Sequence, residues 1–168
     1  MAGVLYRYLS GDHDRLDALL RSAVATPGVI EMEPYAGFRK GLLRHIAMEE
    51  KIVVPEIARL QGGMQPAIAE RIRLDHGALV ALLVPPPSAS IVATIRSILQ
   101  VHNALEEREG GLYQLLEHLV GSDADMVLQK LESFPEVPVL PHKERPEVIE
   151  ATRRAIARAG YEFKTIAE

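Results

Sequence analysis

The chain has no cysteine and no tryptophan among its 168 residues. The lack of cysteine excludes disulfide bonds, thiolate metal ligands and cysteine nucleophiles. A chain of this length buries about 70% of the surface of its unfolded state, so it needs no disulfide for stability. Aromatic residues make up only 5% of the chain. Alanine, leucine, isoleucine and valine supply most of the apolar content, which favours helix packing over a β-sandwich.

Long apolar runs and blocks of like charge are also missing. No segment approaches the roughly 20 apolar residues of a membrane span, and the first ten residues contain no signal-peptide core. The net charge is only −4 and the basic residues are scattered, so nothing indicates nucleic-acid binding. We therefore expect a cytoplasmic protein that binds neither membranes nor nucleic acid.

A histidine and a glutamate recur at the spacing of one helical turn. His45 and Glu49 are four residues apart, and His102 and Glu106 repeat the pair with an offset of 57 residues. Residues i and i+4 lie on the same face of a helix, so each pair can offer a nitrogen and an oxygen to one metal ion. One pair alone is a weak signal, but its repetition is informative.

A second repeat involves the other two helices. Asp12-His13 and Asp75-His76 are both followed by leucine three residues after the histidine and by Ala-Leu-Leu shortly afterwards. The chain therefore contains two copies of a helix pair, in which an Asp-His helix precedes a His-x-x-x-Glu helix. We predict an all-α fold in which four antiparallel helices form a bundle.

Apolar periodicity and turn residues locate these helices and their irregularities. The predicted helices span about residues 10–26, 34–60, 66–84 and 88–121. Residues 1–9 are expected to form an extended arm. Pro55 should kink the second helix near Lys51, Ser88 or Ser90 should cap the fourth, and Gly110-Gly111 should bend it.

The remaining residues are predicted to form a separate part of the molecule. We expect the bundle to comprise residues 1–121 and a C-terminal extension to comprise residues 122–168. The extension should have short helices at about 123–133 and 147–160, separated by a proline-rich segment. Its apolar residues need a surface to cover, which predicts packing on the bundle or on a partner, such as a second copy in a homodimer.

The pseudo-twofold relation brings six polar residues to similar depth in the bundle. The predicted metal ligands are His13, His45, Glu49, His76, His102 and Glu106. Burying these groups without partners would be costly, and a metal centre resolves that cost. Four imidazoles and two carboxylates can hold two ions, each bound by two histidines and bridged by both glutamates. The coordination positions that the protein leaves open then indicate a reactive centre. No side chain stands out as a separate catalytic nucleophile or base.

This pattern resembles the hemerythrin-like, or HHE cation-binding, domain over about residues 10–120. The resemblance implies a non-haem centre of two iron ions, oxo- or hydroxo-bridged, that handles O₂, peroxide or nitric oxide; other divalent metals are compatible. Oxygen-carrying hemerythrins have a fifth histidine where this chain has Ile72, and a different spacing to the last carboxylate. Both departures favour redox chemistry, as in a di-iron oxidoreductase, over reversible oxygen carriage.

Other interpretations remain open. The protein can be a non-catalytic iron or oxygen sensor, or an iron store, that signals through its C-terminal extension. It can also hold a single zinc ion or no metal.

Asp12 and Asp75 are equally consistent with acceptors for the ligand imidazoles and with surface charge. Glu50, Glu107 and Glu109 are expected to be solvated, and the alternative is that one of them supplies an extra ligand. Tyr6, Tyr8 and Tyr113 are expected to be packing residues, and the alternative is a hydrogen-bonding or redox position near the centre.

Overall fold

In a computed structural model of the chain, which describes residues 3–166, the regular secondary structure of that part is entirely helical. The all-α prediction is therefore confirmed. The helices are α1 (Val4–Ala23), α2 (Met32–Met48), α3 (Val54–Leu60), α4 (Ala69–Leu82), α5 (Ala89–Glu107), α6 (Leu112–Val120), α7 (Ala124–Glu132) and α8 (Pro146–Arg158). A π-helical turn (Glu49–Val53) joins α2 to α3, and a 3-10 turn (Gly121–Asp123) precedes α7. None of the described helices is long and apolar enough to cross a bilayer.

The N-terminal segment is helical, so the predicted extended arm is wrong from Val4 onwards; Met1 and Ala2 lie outside the described residues. The side chain of Glu117, on α6, accepts hydrogen bonds from the backbone amides of Leu5 and Tyr6 at 2.9 and 3.0 Å. The first amides of a helix have no acceptor within the helix. A carboxylate from a distant helix supplies it here and stabilises the extra turns.

The second predicted helix is interrupted at the expected position by a π-helical turn. Pro55 has no N–H, so a continuous α-helix would leave the carbonyl of Lys51 without its usual partner. The N–H of Val54 instead donates to the carbonyl of Glu49, five residues earlier. The turn therefore begins at one of the predicted metal ligands, in keeping with the frequent occurrence of π-turns at functional sites.

The fourth predicted helix begins as expected and breaks where two glycines were expected to bend it. The hydroxyl of Ser88 accepts a hydrogen bond from the N–H of Ile91 at 3.2 Å, which caps α5. A Cβ atom on Gly111 would lie 2.5 Å from the carbonyl oxygen of Glu106. Only glycine fits at this position, and the chain turns there before α6 begins.

Two apolar clusters fill the interior and are separated by a polar layer. The cluster that contains Ile156 of α8, here the α8 cluster, includes Leu16, Leu42, Leu79 and Ile98. The cluster that contains Leu131 of α7, here the α7 cluster, includes Leu9, Met48, Ile72 and Leu112. Each predicted histidine ligand lies between members of the two clusters in the sequence, so the polar residues occupy the boundary.

The C-terminal helices pack on the ligand-bearing helices. Helix α7 contacts α1 and helix α8 contacts α4. The Thr152 hydroxyl, on α8, donates to the carbonyl of Ala81 at 3.0 Å. Residues 133–145 contain no regular element, as the prolines predict. The division of the chain at residue 121 and the homodimer stay predictions.

Replacing Leu131 by alanine tests whether α7 is an integral part of the core. Leu131 is fully buried, whereas Leu140 is 68% exposed. We expect Leu131→Ala to lower the free energy of unfolding by about 2–5 kcal/mol, and Leu140→Ala to change it by less than about 0.5 kcal/mol. Chemical denaturation measures both values, and equal losses would contradict the packing described here.

Candidate metal centre

The six predicted ligands meet between the two apolar clusters. Helices α1, α2, α4 and α5 each contribute one histidine, Glu49 comes from the π-turn, and Glu106 comes from the last turn of α5. All six side chains are buried, with exposed fractions between 0 and 6%. Their donor atoms form two groups of four, and within each group all atoms lie within 4.8 Å of one another. These buried groups can hold metal ions.

The first group joins α1 and α2 to both carboxylates. His13 Nε2 lies 3.4 Å from Glu106 Oε2, and His45 Nε2 lies 3.3 Å from Glu49 Oε1. Both histidines thus present the same ring nitrogen to the group, and each carboxylate presents one oxygen.

The second group uses the other oxygen of each carboxylate. His76 Nε2 lies 3.0 Å from Glu49 Oε2, and His102 Nε2 lies 3.2 Å from Glu106 Oε1. Every histidine Nε2 therefore faces a different carboxylate oxygen. This is the arrangement that two bridging carboxylates between two ions require.

These distances fit a metal-bound state. Nitrogen and oxygen donors bound about 2.1 Å from one ion lie roughly 3.0–3.4 Å apart in octahedral or tetrahedral geometry. The four nitrogen-to-oxygen distances here are 3.0–3.4 Å. The donor set also combines imidazole and carboxylate, as iron and zinc sites do.

The outer nitrogen of each histidine in the first group faces a further carboxylate. His13 Nδ1 lies 2.5 Å from Glu107 Oε1, and His45 Nδ1 lies 2.9 Å from Asp12 Oδ2. A carboxylate that accepts the Nδ1 hydrogen leaves Nε2 free to bind metal and fixes the ring orientation. Asp12 thus contacts a ligand imidazole, one of the two interpretations given above for this residue.

The second group has a carboxylate beside each outer nitrogen, but only one of them is hydrogen-bonded. His76 Nδ1 lies 2.9 Å from Glu50 Oε1. His102 Nδ1 lies 3.4 Å from Asp75 Oδ2 and makes no hydrogen bond. The sequence repeat therefore extends to the outer carboxylates. Glu50 and Glu107 keep 44% and 34% of their side chains exposed, as the prediction of solvated side chains expects, but each also contacts a ligand imidazole.

Tyr113 lies inside the first group, which was the alternative to the packing position expected from the sequence. Its hydroxyl donates to Glu49 Oε1 at 2.6 Å and lies 3.1 Å from Glu106 Oε2. The same oxygen is 3.0 Å from His13 Nε2 and 3.2 Å from His45 Nε2. One phenol thus contacts all four donor atoms of that group. The position 57 residues earlier holds Glu56, so the repeat gives no signal for this tyrosine.

Burial and mutual repulsion determine how the two carboxylates ionise. Burial raises the pKa of Glu106 well above its usual value, and the charge of Glu49 raises it further. Burial opposes ionisation of Glu49 as well, but His45 and His76 outweigh it and hold the pKa of Glu49 well below its usual value. Burial also disfavours charge on His45, yet Glu49 and Asp12 raise its pKa to about 9. Without metal, the cluster therefore keeps protons that an incoming cation must displace.

A cavity of about 540 Å³ reaches this centre from one side. It lies between α1, α2 and α5, and the rings of His13, His45 and His102 form part of its wall. Within the described residues, this cavity gives small molecules a route to the histidines.

Comparisons with known proteins provide no relative from which to transfer a role. No protein-family model, no curated protein and no solved structure matches the chain. The function of this protein is therefore inferred from the geometry of its own residues.

The Glu106→Gln variant tests the electrostatic cost of the metal-free site. The pKa of Glu106 is raised in the folded protein, and the pKa of a glutamate in an unfolded chain is about 4.3. The stability of the wild type should therefore fall as the pH rises from the unfolded-state pKa through the folded-state pKa. Glutamine keeps the shape without the charge, so we expect the metal-free variant to exceed the wild type in stability at pH 8 by about 1 kcal/mol or more. At pH 5 the two should be similar.

Denaturant titration of the metal-free proteins at both pH values measures this difference. Glu109→Gln, at an exposed position, is the matched control and should leave stability unchanged. A Glu106→Gln protein no more stable than the wild type at pH 8 would show that Glu106 is not electrostatically strained.

Proposed function

We propose that α1, α2, α4 and α5 form an antiparallel four-helix bundle of the hemerythrin-like type, and that it holds two iron ions. The ions bind O₂ or react with O₂, peroxide or nitric oxide. The observation that carries this proposal is the sharing of Glu49 and Glu106 by both donor groups, with one oxygen of each carboxylate in each group.

The order of apolar residues along the helices supports the antiparallel arrangement. Helix α1 carries Leu9 of the α7 cluster before Leu16 of the α8 cluster. Helix α2 has the reverse order, from Leu42 of the α8 cluster to Met48 of the α7 cluster.

Helix α4 has the same order as α1, from Ile72 of the α7 cluster to Leu79 of the α8 cluster. Helix α5 carries α8-cluster residues only, up to Ile98, and the α7 cluster resumes at Leu112 in α6. This order is the one that alternating helix directions would give.

The number of protein donors supports a reactive centre. Each group offers two imidazoles and two carboxylate oxygens, which is fewer than the six positions of an octahedral ion. Ile72, one turn before His76, is buried in the α7 cluster and adds no donor. The second proposed ion therefore keeps positions for an exogenous molecule. At the first, the Tyr113 hydroxyl contacts all four donors and stands at one of the remaining positions.

The protein side chains have distinct roles in this proposal. Bound iron supplies the redox chemistry. The outer carboxylates of Asp12, Glu50 and Glu107 orient three of the imidazoles and increase their basicity. The hydroxyl of Tyr113 donates a hydrogen bond to Glu49 Oε1, with 2.6 Å between the two oxygens, and can stabilise charge on that oxygen. The two apolar clusters exclude water above and below the polar layer.

One set of contacts favours the sensor as a second candidate function. His102 Nδ1 lies 3.4 Å from Asp75, and Asp75 lies 2.7 Å from the guanidinium group of Arg71. That guanidinium group lies 4.9 Å from the ring centroid of Tyr161, beyond α8. A change at His102 can therefore reach the C-terminal segment through two charged side chains.

Metal analysis tests the two-ion assignment. We expect two irons per chain after anaerobic loading, and fewer in His45→Ala and His102→Ala, because each variant removes a donor from one group. His118→Ala, at an exposed position near the end of α6, should keep two. Unchanged iron content in the two ligand variants would refute the assignment.

Reaction with oxidants separates the two candidate functions. After anaerobic iron loading, repeated addition of peroxide or O₂ with a reductant should give multiple turnovers if the protein is an oxidoreductase. A single stable spectral change, accompanied by altered protease sensitivity near Tyr161, would instead support the sensor. Absorbance and oxygen consumption measure turnover, and His45→Ala provides the inactive control.

A further inference from the structure

The cavity beside the histidines is far larger than a small oxidant requires. Its volume is about 540 Å³, whereas one water molecule takes about 30 Å³ of the liquid. Pockets for organic ligands measure roughly 300–1,000 Å³. We propose that this cavity binds an amphipathic organic anion, with its apolar body beside the metal centre and its anionic group at Arg96. The inference rests on the proposed function, because it treats the cavity as the entrance to that centre.

The wall between the histidines and Arg96 is largely apolar, with Gln100 and Asn103 as its uncharged polar residues. Leu16, Leu20, Leu42 and Ile46 line the cavity, and each is at most 5% exposed. Leu99 continues this wall on α5. A hydrocarbon body in contact with these side chains would leave water for an apolar surface, which is favourable.

The positive charges of the cavity lie at the end away from the metal ligands. Arg96 is six residues before His102 on α5, or about 9 Å along the helix axis. It is exposed, and no ion pair or hydrogen bond engages its guanidinium among residues 3–166. Arg21, on α1, is eight residues after His13, or about 12 Å. Its contact with Asp17 at 3.0 Å is an exposed pair, which leaves guanidinium donors available.

The remaining acidic residues of the cavity lie at the metal end. Asp14 follows His13 directly, and Glu107 contacts His13 Nδ1. Negative charge next to the centre and positive charge at the far end orient an anion with its charged group at Arg96. A cation would prefer the opposite orientation, with its charge near Asp14.

Calorimetric titration of the full chain with a series of matched probes tests this inference. The protein is loaded with zinc, which has no redox chemistry, and its metal content is measured on the same samples. Octanoate should bind with one molecule per chain, at least about tenfold more tightly than octanol, octylamine or acetate. Acetate tests whether the carboxylate simply binds the metal, because it lacks the apolar body.

Two variants and a matched control locate the site. Arg96→Gln should weaken octanoate binding about tenfold, while Arg154→Gln, which removes an exposed arginine of α8, should have no effect. Leu99→Phe should fill the cavity and abolish binding, with metal content unchanged. Equal binding of octanol or octylamine, no saturable octanoate binding, or equal effects of Arg96→Gln and Arg154→Gln would overturn the inference. If the loaded wild-type protein did not retain its metal in these samples, that result would instead count against the proposed function.

Discussion

Two carboxylates that have been removed from water and face the same space are the central constraint on this structure. Glu49 and Glu106 are both fully buried, and the charge of one raises the pKa of the other. An apolar core offers no compensation for such a pair. In the metal-free protein, contacts with the imidazoles and the Tyr113 phenol and the raised pKa of Glu106 reduce this cost, and two bound cations would neutralise the pair directly. The fold therefore maintains an unfavourable arrangement that metal binding would relieve.

The internal repeat accounts for the regularity of this arrangement. The offset of 57 residues relates not only His45 and Glu49 to His102 and Glu106 but also Glu50 to Glu107. Each copy therefore supplies ligands together with a carboxylate that orients a histidine of the other helix pair. Tyr113 breaks the symmetry, because its hydroxyl meets the donors of the first group alone. Two proposed ions with similar ligands would thus have different surroundings.

The sequence predicted what local spacing and repetition encode. Helical periodicity placed the four ligand-bearing helices, Pro55 located the interruption after α2, and the repeated motifs identified the six donors that the structure brings together. Contacts between distant segments were not predictable in this way. The extra turns of α1 depend on Glu117, more than 100 residues away. Tyr113 reaches the centre because the chain turns at Gly111, directly before α6, where a Cβ atom would collide with the backbone. The glycine predicted a bend, but no periodic signal predicted where the tyrosine would lie.

The central claim is that two ions share both carboxylates. Anomalous diffraction at the iron absorption edge, from crystals of the iron-loaded protein, tests it most directly. The account predicts two iron positions about 3.5–4 Å apart, one beside His13 and His45 and the other beside His76 and His102, with Glu49 and Glu106 bound to both. A single iron position, or ions that contact only one of the two glutamates, would contradict it.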